Sequence, residues 1–257
     1  MNASRIKYIA YGSMLCDHTA AFLLEPYLNG TGAVSSDDPL YNVLRTLGRP
    51  ALFLFAFFVA EAMRHTGSRV RYLLRLFLLA LVSEIPYDLC RARVFWDPSH
   101  QNTILTLFLG GLLIALWDLL DPLKKGCLPL FYLLRAVSAA AFGVLAVLLR
   151  TDYGFAGVYL ILLFYLLYLR TDRFVLWIGT LSMLLFFLVP YIGEVPLFHA
   201  PFPEKGMLLA LTEVSGLLSL FPIDRYNGSK GRMPGKLACY LFYPLHLVAF
   251  YGLTLLY

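Results

Sequence analysis

Nine apolar stretches divide the chain, at about residues 6–27, 43–63, 70–89, 102–120, 127–149, 153–170, 173–193, 206–222 and 237–256. Each is about 17–23 residues long, enough for a helix to cross roughly 30 Å of hydrocarbon. In that medium every backbone amide needs an internal partner, so only helices or a closed barrel can cross it. The stretches are too long for barrel strands and lack the apolar–polar alternation that such strands need. Pro26, Pro39, Pro98, Pro122, Pro190, Pro222 and Pro234 fall at their ends or in connections. The connections are short, and no repeat or long linker separates two halves. The pattern predicts an all-α polytopic transmembrane bundle of about nine spans, one integral membrane domain over 1–257.

Composition sharpens this picture. Hydrophobic residues make up 60% of the chain and charged ones only 14%, against about 25% charged in soluble domains. With the N-terminus in the cytoplasm, the inner segments hold Arg5, Lys7, Arg64, Arg69, Arg71, Arg75, Lys124, Lys125, Arg170, Arg173, Arg225, Lys230, Arg232 and Lys236. The outer segments hold only Arg91, Arg93, Arg150 and Lys205. This bias satisfies the positive-inside rule and predicts a multi-pass protein of the inner or plasma membrane. The net charge of +5 therefore reads as topology and contact with an anionic lipid bilayer, not as nucleic-acid binding. The first apolar run contains Asp17 and His18 and no small-residue cleavage site follows it, so it is expected to be a span and not a cleavable signal. Cys16, Cys90, Cys127 and Cys239 are scattered, with no metal-type spacing.

Polar residues inside the spans carry the functional information, because hydrocarbon makes them costly. Asp17 and His18 interrupt the first span, His18 about 18 Å above its inner edge. Arg45 and Arg49 share one face of the second span, and Glu84 and Asp88 one face of the third. An antiparallel hairpin of these two spans sets Arg45 level with Asp88 and Arg49 level with Glu84. Asn102 and Thr106 enter the same layer from the fourth span, and His246 stands about 14 Å up the last one. Each has a structural alternative: the charge pairs can simply join helices, and His246 can be a packing residue. Glu61 and His65 can cap a helix as well as line an entrance, and Tyr243 fits an interfacial aromatic belt.

The strings "IAYGSMLCDHTAAF", "LRTLGRPALFLFAFFVAEAMRHT", "YLLRLFLLALVSEIPYDL" and "QNTILTLFLG" resemble the TraX family, named after the F-pilin N-acetylation protein and similar to other multi-span membrane acyltransferases. "YPLHL" near the C-terminus is similar to the last helix of such acyltransferases. Family members usually follow a Gly-Arg pair with Phe-Pro some residues later, whereas here Pro50 directly follows Arg49, which shifts the expected helix kink. The resemblance implies transfer of an acetyl group from acetyl-CoA to an amine or hydroxyl, with the acceptor left open between peptide, glycan and small molecule.

Acyl transfer from a thioester needs a base for the nucleophile and donors for the developing oxyanion. His18 is the expected base, with Asp17 and Glu84 as the other catalytic candidates. Arg45, Arg49, Asn102, Thr106 and Asp88 are the candidates for gripping substrate or oxyanion. His246, Tyr243, Glu61, Arg64, His65 and Arg71 are the candidates for binding the donor from the cytosolic side. No metal site is expected, and homo-oligomerisation is left open. A proton-coupled transporter or exporter is the rival class, since it too places Asp, His, Arg and Glu near the midplane; it would favour two related halves.

Overall fold

The computed structural model describes residues 1–32, 34–168, 174–183, 212, 214–232 and 235–256. Helices dominate these residues, and their extended pairing is confined to one bridge between Gln101 and Thr151. The chain forms α1 (Ala3–His18), a π-helical segment (Thr19–Leu24), α2 (Glu25–Gly30), α3 (Pro39–Gly48), α4 (Pro50–His65), α5 (Arg69–Ala92), α6 (Thr103–Leu119), α7 (Leu123–Gly126), α8 (Leu128–Leu148), α9 (Gly154–Leu167), α10 (Phe174–Met183), α11 (Leu220–Asp224) and α12 (Lys236–Thr254). The expected stretches 173–193 and 206–222 lie partly outside the described residues.

Helix starts follow local chemistry. Asn2 caps α1 through the Arg5 amide (3.0 Å), and Asp38 caps α3 through the Tyr41 amide (2.8 Å), with Pro39 as the first helical residue. Asn102 caps α6 through the Ile104 amide at 2.9 Å. Short polar side chains at these positions satisfy amides that have no partner within the helix.

Among the described residues, three stretches are long and apolar enough to cross a membrane: Pro39–His65, Leu128–Leu148 and Leu237–Thr254. Their outward faces are apolar as well. Tyr132, Leu133, Val144 and Leu148 on α8 are exposed, as are Leu237, Leu245 and Val248 on α12. Faces of this kind suit lipid far better than water.

Packing groups the chain into two units, Met1–Phe55 with Thr171–Tyr257, and Ala56–Arg170. In the first unit α1 packs closely on α3. A β-carbon at Gly48 would stand 2.7 Å from Cα and 2.8 Å from the amide nitrogen of Asp17, so only glycine permits this approach. The Ser13 hydroxyl then donates to the Leu47 carbonyl at 2.7 Å. Pro50 has no N–H to offer the Thr46 carbonyl four residues back; the Ser215 hydroxyl lies 2.8 Å from that carbonyl and 2.6 Å from the Thr212 carbonyl, its one proton shared between them. The interruption between α3 and α4 thus falls at Arg49, immediately before Pro50. Helix α12 runs parallel to α1: the Tyr11 hydroxyl donates to the Cys239 carbonyl (3.3 Å), and the Tyr11 and Phe242 rings lie 4.6 Å apart. The amides of Ala3 and Ser4 bond to the carbonyls of Ser229 and Lys230 at 2.8 and 3.1 Å, which ties the start of α1 to the segment leading into α12.

In the second unit, α6 packs against α5 and α9, and α8 against α9. Small residues set these crossings. A β-carbon at Gly157 of α9 would meet Thr106 Cγ2 at 2.6 Å, and one at Gly110 of α6 would meet Ile161 Cβ at 2.9 Å. Phe57 and Phe164, both fully buried, meet edge to face with centroids 5.8 Å apart.

Candidate active site

In the first unit the parallel register of α1 and α12 places His18 against His246. His18 Nδ1 lies 2.6 Å from His246 Nε2, and His246 Nδ1 lies 2.8 Å from the Phe242 carbonyl oxygen. The rings are nearly coplanar, tilted by 13° with centroids 4.8 Å apart. A nitrogen contact this short at that centroid separation means that the rings meet edge to edge, not face to face. Phe22 and Tyr243 pack around His18, and Phe242, Tyr243 and Phe250 around His246. Both imidazoles are buried. The π-helical turn begins at the residue after His18; such widened turns in a helix often accompany functional sites.

Asp17 faces elsewhere. Its carboxylate accepts from Arg45 at 2.8 Å and stands 3.9 Å from Arg49. Successive residues on a helix point about 100° apart, so the group that orients His18 is His246 and not its neighbour in sequence. Asp17 thus stands against both arginines, a partner that the charge spacing of the second and third spans did not name. Gly48 brings α1 close enough to α3 for Asp17 to reach them.

In the second unit Glu84, Asp88, Asn102 and Thr106 are buried. Glu84 Oε2 accepts from the side-chain amide of Asn102 and from its backbone amide, the latter at 3.3 Å. Asn102 Nδ2 also donates to the Ala80 carbonyl at 2.9 Å. Asp88 Oδ2 accepts from the Asp97 amide at 2.8 Å. Glu84 Oε1 and Asp88 Oδ1 are buried without a hydrogen bond among the described residues. The Thr106 hydroxyl donates to the Asp152 carbonyl. Asn102 and Thr106, expected as donors to an oxyanion, thus both donate to the protein's own carbonyl and carboxylate groups. In the connection after α5, the Ser99 hydroxyl and amide hydrogen-bond Asp97 and hold its carboxyl below the usual carboxylate range.

His246 and Tyr243 belong to the histidine site described above. Arg64 donates to the Tyr165 carbonyl and lies 4.9 Å from the Tyr165 ring centre. Tyr165 donates to Asp118 at 2.7 Å, and Asp118 pairs with Arg69 at 2.9 Å. This network ties α4, α5, α6 and α9 together. Arg71 and His65 are exposed and Glu61 half-buried. Sequence reasoning passed over Ser13, Gly48 and Ser215, which hold α1 and α3 in place. The Leu47-Gly48-Arg49-Pro50 string was the available signal, since it joins a close-approach glycine to a proline that frees a carbonyl.

The described residues define an all-helical protein with helices long and apolar enough to span a membrane, carrying ionisable residues on apolar segments. The chain belongs to the TraX family: the family model described as "TraX protein" matches residues 2–254. It is also similar to the "Probable fimbrial assembly protein FimC, serogroup H1" of Dichelobacter nodosus, 28% identical over 258 residues that cover 96% of this chain and 93% of the relative. No solved structure matches the chain.

Proposed function

We propose that this protein is a nine-span inner-membrane acetyltransferase with a cytoplasmic N-terminus, moving an acetyl group from cytosolic acetyl-CoA to an amine or hydroxyl of a fimbrial subunit. The observation that carries the reading is the hydrogen-bonded His18–His246 pair, enclosed by aromatic rings on two apolar helices. Membership of the TraX family and the fimbrial assembly name of the relative support the acceptor class.

In the proposed reaction His18 takes the proton of the acceptor as its nitrogen or oxygen attacks the thioester carbonyl carbon. The new C–N or C–O bond forms, the C–S bond breaks, and the proton passes from His18 to the departing thiolate. Arg45 and Arg49, held by Asp17 beside this site, supply positive charge for the developing oxyanion or for the acceptor. Glu84, with one buried oxygen lacking a hydrogen bond, is the alternative base.

The test combines detergent-solubilised protein, radiolabelled acetyl-CoA and a purified fimbrial subunit. The proposal expects saturable binding of acetyl-CoA and label on the subunit. Absence of acetyl-CoA binding by folded protein would overturn it.

A further inference from the structure

The contacts of the two histidines fix more than their proximity. A carbonyl oxygen can only accept, so the 2.8 Å contact between His246 Nδ1 and the Phe242 carbonyl puts a proton on His246 Nδ1. A neutral ring then has a bare Nε2. That nitrogen lies 2.6 Å from His18 Nδ1, a distance that requires one proton between them, and the proton belongs to His18 Nδ1. The lone pair of a neutral His18 is left on Nε2.

We infer that His246 is a positioning residue that fixes the tautomer of His18, so that Nε2 of His18 is its proton-accepting atom. The chain Phe242 carbonyl, His246, His18 places a neutral imidazole where serine hydrolases use a carboxylate to hold the base in its working tautomer. Asp17, next to His18 in sequence, does not take that role, because its carboxylate is held by Arg45 and Arg49. When His18 Nε2 accepts a proton, its Nδ1–H still donates to His246, which spreads the new charge without an anion in the apolar site. Among the described residues, Arg45 and Tyr243 are the other ionisable groups facing the pair. The catalytic part of this inference rests on the acetyl-transfer reading; the tautomer does not.

The experiment is nitrogen NMR on the full-length protein in lipid bilayers, with histidine labelled at both ring nitrogens. His18 is assigned by the signals lost in His18→Ala. The wild type should show His18 protonated at Nδ1 and bare at Nε2. In H246F the proton should move to Nε2 or divide between the two sites, whereas in H246Q, whose side-chain carbonyl can accept, it should stay on Nδ1. Transfer from radiolabelled acetyl-CoA to a fimbrial subunit should fall at least about tenfold in kcat for H246F, because a wrong tautomer presents an N–H where a lone pair is needed. KM for acetyl-CoA should hold, and H246Q should recover most of the loss. A wild-type His18 protonated at Nε2 overturns the inference whatever the variants do, as does an H246F with full transfer where His18→Ala has lost it. If His18→Ala transfers normally while H246F shifts the His18 tautomer, the catalytic reading fails and the positioning stands.

Discussion

Gly48 of α3 lies against the backbone of Asp17, so close that a β-carbon there would stand 2.7 Å from the Asp17 Cα. This contact holds the carboxylate of Asp17 within 2.8 Å of Arg45, and it sets the position of the residue that follows, His18.

Gly48→Val is therefore expected to force α1 and α3 apart and to cost about 1–3 kcal/mol, the usual range for overpacking. Thermal unfolding in detergent measures it. Gly12→Ala is the control, since no atom lies within 4 Å of its new carbon, and it should leave the midpoint unchanged or slightly raised. A Gly48→Val protein that unfolds with the wild type contradicts the close packing.

The ion pairing gives a second expectation. Asp17→Asn leaves two guanidinium groups without their carboxylate and should destabilise by about 2–3 kcal/mol, a little below the loss for fully buried pairs. Replacing Asp17 with Leu together with Arg45 and Arg49 by Met should restore folded yield. Yield that stays low in the triple variant would show that the cluster does more than join α1 to α3.

Ser215 and Pro50 form a testable pair. Ser215→Ala should cost about 1 kcal/mol by stranding the Thr46 carbonyl. In a Pro50→Ala background that carbonyl regains a helical N–H, and the same change should cost less than half as much. A double-mutant cycle reads the difference, and equal costs in both backgrounds would contradict the assignment.

Several helices were legible because their signals are local. Ser68 before the run from Arg69 marks the start of α5, expected at about residue 70 and found at Arg69. The candidate site residues were legible for a related reason: an ionisable side chain in an apolar run stands out in one dimension. Their pairing was not. His18 and His246 are 228 positions apart, and nothing in either run states that α1 and α12 lie parallel in that register. The pairing of Asp17 with Arg45 depends on a third residue, Gly48, that carries no charge. The π-helical turn after His18 leaves no sequence mark, since Thr19–Leu24 suits an ordinary helix.

The membrane topology has its own check. Reporter tags after residues 66 and 228 should label from the cytoplasm, and tags near residue 36 and at the C-terminus from outside. Tags at 36 and 228 reporting the same side would contradict nine spans with an inner N-terminus.

The central claim is that His18 is the base of an acetyl transfer. The direct measurement is the rate at which purified His18→Ala moves label from acetyl-CoA to a fimbrial subunit, with thermal stability and acetyl-CoA binding followed on the same sample. Removing a general base typically costs about 10²–10⁴-fold. The account predicts a loss in that range while the protein stays folded and binds acetyl-CoA. Transfer within about threefold of wild type, well short of that range, would contradict it and turn attention to Glu84.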